Sequence, residues 1–219
     1  MRPEATLNLW KKQLGAVPDW VWERTDLEAL VLADNGLTSV SESIAALNRL
    51  RMLDLGHNHL TQVPAALGEL EGLTDFLYLH DNRLKQLPST LEKATKLRYL
   101  NISENKFDAL PECVCAMSGL IELRATDNLL ATLPESIGRL SRLRELHLRN
   151  NQLTALPESL GMLKELRQID LRGNPIGSLP ESIAALPRLE KLDLRWVTTL
   201  ELENDWIVPM ESRGCVVYR

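Results

Sequence analysis

The sequence predicts an α/β solenoid of about nine stacked units, each with a short strand on one side and a short helix or turn on the other. The first observation is an asparagine that returns every 23 residues, with one interval of 24: Asn35, Asn58, Asn82, Asn105, Asn128, Asn151 and Asn174. The second is a leucine frame repeated around each asparagine. The third is a Leu-Pro pair that precedes further apolar residues spaced three apart. Such short units fold only by stacking on their neighbours.

The strand of each unit is marked by Leu-x-Leu, as in Leu146 and Leu148. A period of two points both leucines inward and leaves the residue between them on the surface. Asn151 follows in the turn, where a side-chain amide can satisfy backbone groups of the adjoining turns. We therefore expect the seven asparagines to form a structural ladder.

The other side of each unit begins with proline, as in Pro157, Glu158 and Ser159. Proline and then glutamate suit the first turn of a short helix, because glutamate is favourable at the positive end of a helix. Apolar residues three apart, such as Ile137 and Leu140, then face the core. One coil therefore carries a strand, a bend and a short helix.

Both ends of the repeat array depart from the frame. Lys12 and Val197 stand where an asparagine is expected, and valine has no amide, so we expect the ladder to stop before Val197. We predict a short amphipathic segment from Asp205 and Trp206 to Gly214, and then a last strand that covers the final repeat. The predicted organisation is a single domain over 1–219, with repeats in 4–196 and a C-terminal cap in 197–219.

The single 24-residue interval has its extra residue at the entry to a strand. There Leu73-Thr74-Asp75-Phe76-Leu77 replaces the usual Leu-x-x-Leu. We predict a β-bulge that pushes Asp75 or Phe76 toward the concave surface.

The 23-residue unit with Leu-Pro-Glu-Ser resembles leucine-rich repeats of the intracellular Ras-group-related and Ras-suppressor class. The ending Leu-Asp-Leu-Arg-Trp and the tail Gly-Cys-Val-Val-Tyr are similar to bacterial members of that class. The resemblance implies a curved, right-handed solenoid with a parallel sheet on its concave face. It also implies a scaffold or recognition module, because members of the class commonly serve as such.

Composition argues against several function classes. A net charge of −5 and a pI near 5.5 disfavour a generic binder of nucleic acid or of anionic membranes. The sequence has no apolar run near the length of a membrane span and no hydrophobic signal segment at its start, so we expect a cytoplasmic protein without a membrane partner. Three cysteines are expected to be idle thiols in a reducing compartment. We expect a monomer.

The sequence predicts no catalytic residue, no metal site and no cofactor. His80 with Ser103 comes nearest to a catalytic pair, but it lies on an open face that does not exclude water. Carboxylates form a row along one rim of the sheet, where they converge poorly on one ion: Asp34, Asp81, Glu104 and Asp127, with His57 in the same row.

The candidate binding residues lie on the concave face, between and beside the inward leucines. An aromatic group at the centre suggests a partner site, because tyrosine and phenylalanine are efficient contact residues: Met52, Phe76, Tyr78, His80 and Tyr99. An arginine column follows, with its neighbours: Arg124, His147, Arg149, Arg172, Arg195 and Trp196. This column favours either a solvated charge lattice with Asp170, Asp193 and Glu145, or an acidic or phosphorylated partner.

We therefore expect a non-enzymatic scaffold or adaptor that recognises a protein partner through its concave face. Two alternatives stay open. One is a bacterial effector that acts on host proteins after secretion by a non-classical route. The other is a regulatory subunit of a small GTPase, kinase or phosphatase. The sequence does not identify the partner.

Overall fold

The computed structural model describes residues 5–200 and 207–219. Within them, parallel strands form one open, curved sheet in chain order. The predicted repeat solenoid is confirmed. The strands are β1 (Thr6–Asn8), β2 (Ala29–Val31), β3 (Met52–Asp54), β4 (Phe76–Tyr78), β5 (Tyr99–Asn101), β6 (Glu122–Arg124), β7 (Glu145–His147), β8 (Gln168–Asp170), β9 (Lys191–Asp193) and β10 (Val216–Tyr218).

Short helical segments occupy the opposite, convex side. Most are 3₁₀ helices of three to five residues, a length typical of that helix type. They span Asp19–Val21, Glu42–Ala46, Ala65–Glu69, Ser89–Lys93, Glu135–Arg139 and Glu158–Met162, and the α-helices are α1 (Glu112–Cys115), α2 (Glu181–Ala184) and α3 (Ile207–Ser212). No helix in the described ranges has both the length and the apolar character needed to cross a bilayer.

Proline precedes most of these helices and fixes the backbone where each one starts. Pro134, Pro157 and Pro180 sit at the N-cap with φ between −73° and −69°. Ser41 replaces proline before the helix Glu42–Ala46, and its hydroxyl accepts a hydrogen bond from the Ser43 N–H at 3.1 Å. The turn is thus defined either by ring geometry or by a capping oxygen.

One continuous core lies between the sheet and the helices. Leu53 and Leu55, the two leucines of one strand motif, are fully buried, and so is Ile137 on the convex side. The core runs from Val21 in the first coils to Cys215 beside the last strand. Burial of this aliphatic surface between coils is the main stabilising contribution.

The asparagine ladder joins each turn to its neighbours. Asn105 is buried; its Oδ1 accepts from the Leu84 N–H at 2.9 Å, and its Nδ2 donates to three carbonyl oxygens between 3.0 and 3.1 Å away. The other ladder asparagines bond in the same way. At the first, Asn35 Oδ1 accepts from the Lys12 N–H. At the last, Asn174 Oδ1 accepts from the Leu153 N–H and its Nδ2 donates to the Leu148 and Leu171 carbonyls. Val197 makes only a backbone bond, from its N–H to the Leu194 carbonyl.

The extra residue lies in the entry to β4, where the sequence placed it, and the strand itself pairs regularly. Phe76 pairs in register with Met52 on one side and with Tyr99 on the other. The irregularity is in the entry, where the carbonyls of Thr74 and Asp75 each accept one bond, from the N–H groups of Arg98 and Tyr99. At the next strand a single carbonyl, that of Arg98, accepts from both N–H groups. The loop absorbs the residue because Phe76 must keep its register.

The last strand covers the end of the sheet. β10 runs parallel to β9, and the Leu194 N–H donates to the Tyr218 carbonyl at 2.8 Å. In α3, Ile207 and Met210 are buried, and Gly214 takes the left-handed φ of 90° that ends the turn. Glu4, Asp205 and Trp206, which the sequence placed at the start of the repeats and in the cap, lie outside the described residues.

Candidate partner-binding site

Three aromatic rings lie in contact at the centre of the concave face. The ring centroids of Tyr78 and Tyr99 are 5.0 Å apart, and those of Phe76 and Tyr99 are 5.6 Å apart. Phe76 and Tyr78 alternate with the buried Leu77 along β4, so both rings point to the concave side. The sheet register places Tyr99 beside Phe76. We call Phe76, Tyr78 and Tyr99 the aromatic cluster.

The aromatic cluster is only partly exposed. The Phe76 side chain is 38% exposed, and both tyrosines are half-buried. Burial raises the pKa of Tyr99 to about 12 and also raises the pKa of Tyr78. Both hydroxyls are therefore neutral at physiological pH, and the cluster presents uncharged apolar surface with two hydrogen-bonding groups.

Two histidines extend this cluster toward the N-terminal repeats. The His80 and His57 rings meet edge to face, with centroids 4.6 Å apart and Nε2 atoms 3.2 Å apart. His57 Nδ1 lies 2.7 Å from Asp81 Oδ2. Its Nδ1–H therefore donates to Asp81 when His57 is neutral, and its Nε2 accepts from His80. Burial lowers the pKa of His80, and repulsion from His57 lowers it further.

Gly56 makes room for the His80 ring. A Cβ at position 56 would lie 2.4 Å from His80 Cε1, which is far below any real contact distance. A glycine followed one repeat later by histidine is the signal that identifies the pair.

Many concave positions serve the backbone and are unavailable to a partner. Side-chain oxygens in the column between the leucines accept a bond from the N–H two residues on, in the manner of an Asx turn: Asn8, Asp54, Asn101, Asp170 and Asp193. Tyr78, Arg124 and His147 in the same column make no such bond. Several positions beside the inward leucines are buried, namely Ala29, Ala33, Gly56 and Ser103. In this column the central repeats therefore carry three side chains, those of Tyr78, Arg124 and His147, that do not hold the backbone turn.

The arginine column is held by carboxylates. Arg172 donates from Nε and Nη2 to Asp170 at 2.8 and 2.6 Å, and Arg195 binds Asp193 in the same two-pronged way. Arg149 Nη2 lies 3.3 Å from Asp127 Oδ2, a partner outside the set expected from the sequence. These pairs reduce the repulsion between arginines on adjacent strands.

Asp193 was expected on the surface, and it is fully buried at 0% exposure. Burial opposes its ionisation, but the hydrogen bonds from Arg195 outweigh this and lower its pKa. Arg172 Nε is 3.6 Å from the same carboxylate. The burial follows from the cap, because β10 lies alongside β9 and brings Tyr218 opposite Asp193.

Trp196 is 66% exposed at the C-terminal end of the face, with a left-handed φ of 63°. The guanidinium carbons of Arg172 and Arg195 lie 5.8 and 6.0 Å from its ring centroid. The three side chains therefore form a cation–π group apart from the aromatic cluster.

A cavity of about 300 Å³ lies between these two aromatic groups. Four cationic side chains and one carboxylate line it: Arg124, Arg149, Arg172, Lys191 and Asp170. Its other walls include His147 and Gln168. We call it the basic cavity.

Glu122, Glu145 and His147 stand beside the basic cavity. Within the described ranges they form a group whose potential metal-ligand atoms all lie within 4.8 Å of one another. Arg124 Nε donates a hydrogen bond to Glu122 Oε1 at 2.5 Å, and His147 Nε2 is 3.2 Å from Glu145 Oε2. In this arrangement the Arg124 guanidinium balances the charge of Glu122, and the His147 ring lies against Glu145.

The rim row of acids has a backbone role that the sequence analysis missed. Its members take left-handed φ values between 50° and 56°: Asp34, His57, Asp81, Glu104 and Asp127. This conformation turns the chain into the ladder asparagine that follows each of them. The row does not converge on a point.

Comparison with known proteins agrees with this geometry. Sequence models described as leucine-rich repeats match residues 5–60, 25–84 and 96–117, and a model described as a leucine-rich repeat region matches residues 132–212. The chain is a leucine-rich-repeat protein. Volume-regulated anion channel subunit LRRC8A of Homo sapiens is 36% identical over 95 residues, which are 42% of this chain and 12% of that relative. The repeats therefore match a small part of a longer protein.

Solved leucine-rich-repeat structures are similar over most of the chain. The plant peptide hormone receptor RGFR1, in complex with RGF2, superposes with a TM-score of 0.73 at 32% identity, covering 83% of this chain and 30% of that one. The leucine-rich-repeat domain of the type III effector XopL gives a TM-score of 0.81 at 21% identity, covering 100% of this chain and 77% of that one. The second likeness concerns the fold alone.

Proposed function

We propose that this leucine-rich-repeat protein is a non-enzymatic scaffold or adaptor that binds a protein partner through its concave face. The observation that carries the proposal is the aromatic cluster. Phe76, Tyr78 and Tyr99 form contiguous apolar surface at the centre of a curved sheet, where the side chains that hold the fold together point the other way. Tyrosines in contact bury much area for little loss of rotamer freedom.

The proposed contact surface extends from the aromatic cluster to both sides. Met52 and His80 border it toward the N-terminal repeats. Toward the cap it continues through Arg124, His147, Arg149, Arg172, Arg195 and Trp196. The plant peptide hormone receptor RGFR1, which is 32% identical over the matching repeats, is solved in complex with RGF2, and this supports peptide or protein recognition by such repeats.

The test compares cross-linked partner recovery between the wild-type protein and the double variant Tyr78→Ala plus Tyr99→Ala. Bound proteins are identified after cross-linking in an extract of the source cells. We expect the partner to be lost, because the change removes two of the three rings of the aromatic cluster. The matched control is Met162→Ala, which removes a 62% exposed apolar side chain on the convex side and should leave recovery unchanged.

Equal recovery by the double variant and the wild type would overturn the proposed site. Thermal unfolding of both variants guards against a trivial explanation. The double variant should unfold within a few degrees of the wild type, because these rings lie outside the leucine core.

We further propose that the protein belongs to the 23-residue Ras-suppressor class as a bacterial member, acts in the cytoplasm as a monomer, and forms one domain over 1–219. The 23-residue spacing of the asparagines and the tail sequence support the class. Cys113, Cys115 and Cys215 are free and buried, which supports a reducing compartment. Burial raises the pKa of all three thiols, so they are poor nucleophiles.

A further inference from the structure

The basic cavity gathers hydrogen-bond donors from adjoining repeats. Arg149 follows β7, Arg172 follows β8 and Lys191 opens β9. Counted with Arg124 and Asp170, the charged side chains that line it carry four positive charges and one negative charge. Glu122 and Asp127, which pair with Arg124 and Arg149, bring the formal sum to +1. The protein as a whole is at −5, so this is a local departure from its surface. A cationic concavity of this kind attracts an anionic group.

Several of these donors are not used by the fold. Arg149 Nε is buried and has no hydrogen-bond partner among the described residues. Lys191 makes no ion pair with a carboxylate of the described residues. Its Nζ lies 5.5 Å from the Tyr218 ring centroid. Arg172 donates to Asp170 from Nε and Nη2, which leaves its Nη1 as a further donor. A buried donor of a charged group without an acceptor is costly, so an anion that reaches Arg149 gains more than a surface pair would.

The number of unused donors favours phosphate over carboxylate. Arg172 already binds a carboxylate in its preferred two-pronged geometry. What remains comes from three successive repeats around one cavity. A phosphate monoester offers three strong acceptor oxygens and a charge of about −1.5 to −2, whereas a carboxylate offers two oxygens and a single charge.

We propose that the basic cavity binds the phosphate of a phosphorylated serine or threonine in the partner, a proposal that rests on the concave face being the partner-binding surface. The aromatic cluster lies on β4 and β5, and the cavity centres on β8. Three strand spacings separate β5 from β8, about 14 Å. An extended peptide covers this distance in about four residues. The partner segment therefore carries an apolar or aromatic residue about four positions from the phosphorylated one.

The direct test titrates the isotope-labelled protein with N-acetyl-phosphoserine amide and follows the Nε–H resonance of Arg149 by NMR. N-acetyl-glutamate amide, N-acetyl-serine amide and potassium chloride at equal ionic strength are the comparison titrants. We expect a saturable shift with the phosphoserine compound alone, with a dissociation constant in the millimolar range. Lys191→Gln should weaken it about fivefold to tenfold, because one charge-assisted contact is lost.

The matched control is Arg142→Gln. It removes one positive charge from an exposed turn on the convex side and should leave the dissociation constant unchanged. Lys191 makes no ion pair within the described residues, so Lys191→Gln is expected to fold normally, which thermal unfolding checks. Equal shifts with glutamate and phosphoserine amides, or an unchanged constant in Lys191→Gln, would overturn the phosphate assignment.

A peptide probe separates this proposal from the proposed function. A pentapeptide with phenylalanine first and phosphoserine fifth should bind at least tenfold more tightly than phosphoserine amide. That gain should vanish in the variant Tyr78→Ala plus Tyr99→Ala, while the phosphoserine amide still binds. Partner recovery that depends on the two tyrosines without any phosphoserine response would refute the phosphate site alone. A phosphoserine response together with partner recovery that ignores the tyrosines would refute the docking face alone.

Discussion

Replacement of Asn105 by alanine tests whether the ladder holds the coils together. The substitution removes the acceptor of the Leu84 N–H, which has no other partner among the described residues. The three carbonyls that Asn105 Nδ2 binds each keep another donor. The Leu79 oxygen keeps Asn82, the Ile102 oxygen keeps Asn128 and the Ser103 oxygen keeps the Asp81 N–H.

The cost of Asn105→Ala is therefore dominated by one orphaned N–H. A buried donor without a partner costs about 1–3 kcal/mol, and each lost hydrogen bond to a carbonyl that keeps another partner costs about 0.5 kcal/mol. We expect the free energy of unfolding to fall by about 3 kcal/mol. The assay is urea unfolding at equilibrium, followed by circular dichroism and by tryptophan fluorescence.

The matched control is Asn48→Ala, an exposed asparagine in a turn that makes no side-chain hydrogen bond among the described residues. It should change stability by less than about 0.5 kcal/mol. A loss below about 1 kcal/mol in Asn105→Ala, or one no larger than in Asn48→Ala, would refute the reasoning. The ladder would then be a consequence of leucine packing and not a contributor to stability.

Two further predictions concern the histidine pair. Gly56→Ala places a Cβ 2.4 Å from His80 Cε1, so the substitution should displace the His80 ring. We expect the free energy of unfolding to fall by about 1–3 kcal/mol in the same urea assay. An unchanged urea midpoint would contradict the tight fit between Gly56 and His80. The pKa of His80 is lowered in the folded protein, so the unfolded chain takes up a proton first as pH falls below about 6.5. The free energy of unfolding should therefore drop between pH 7.5 and 5.5, and it should drop less in His80→Gln. Parallel pH profiles of the two proteins would contradict this prediction.

The repeated part of the fold is predictable because each repeat position has one physical demand. Leu53 and Leu55 are fully buried, as a period of two requires, and Asn105 makes bonds that leucine could not make. The contact between Phe76 and Tyr99 also follows from counting, because parallel strands in register bring equivalent positions together. Periodicity fixes these neighbours without any knowledge of the side chains involved.

What the sequence did not predict depends on contacts that break the period. Asp193 is buried because the cap adds β10 beside it, and the cap has no counterpart in the repeats. The sequence placed the extra residue at the entry to β4, but it did not show that the Thr74 and Asp75 carbonyls would each accept one bond there. The His57–His80 contact needs the left-handed turn at His57 and the missing side chain at Gly56, and single-residue patterns do not reveal such a combination.

Along the concave face some outward side chains hold the backbone by a hydrogen bond and others do not, and the candidate site in the central repeats includes side chains of the second kind. At Asp54 and Asn101 the outward side chain is used to hold the backbone two residues on, so a change there carries a cost to the turn. At Tyr78, Arg124 and His147 the same position carries no such bond to the backbone, so a change there has no cost to the turn. Asp193 accepts a hydrogen bond from the Arg195 N–H. Its carboxylate also orients the guanidinium groups of Arg195 and Arg172, which lie nearest the cap. A partner that approaches the basic cavity therefore meets arginines whose directions are already set by the fold, which lowers the entropy lost on binding.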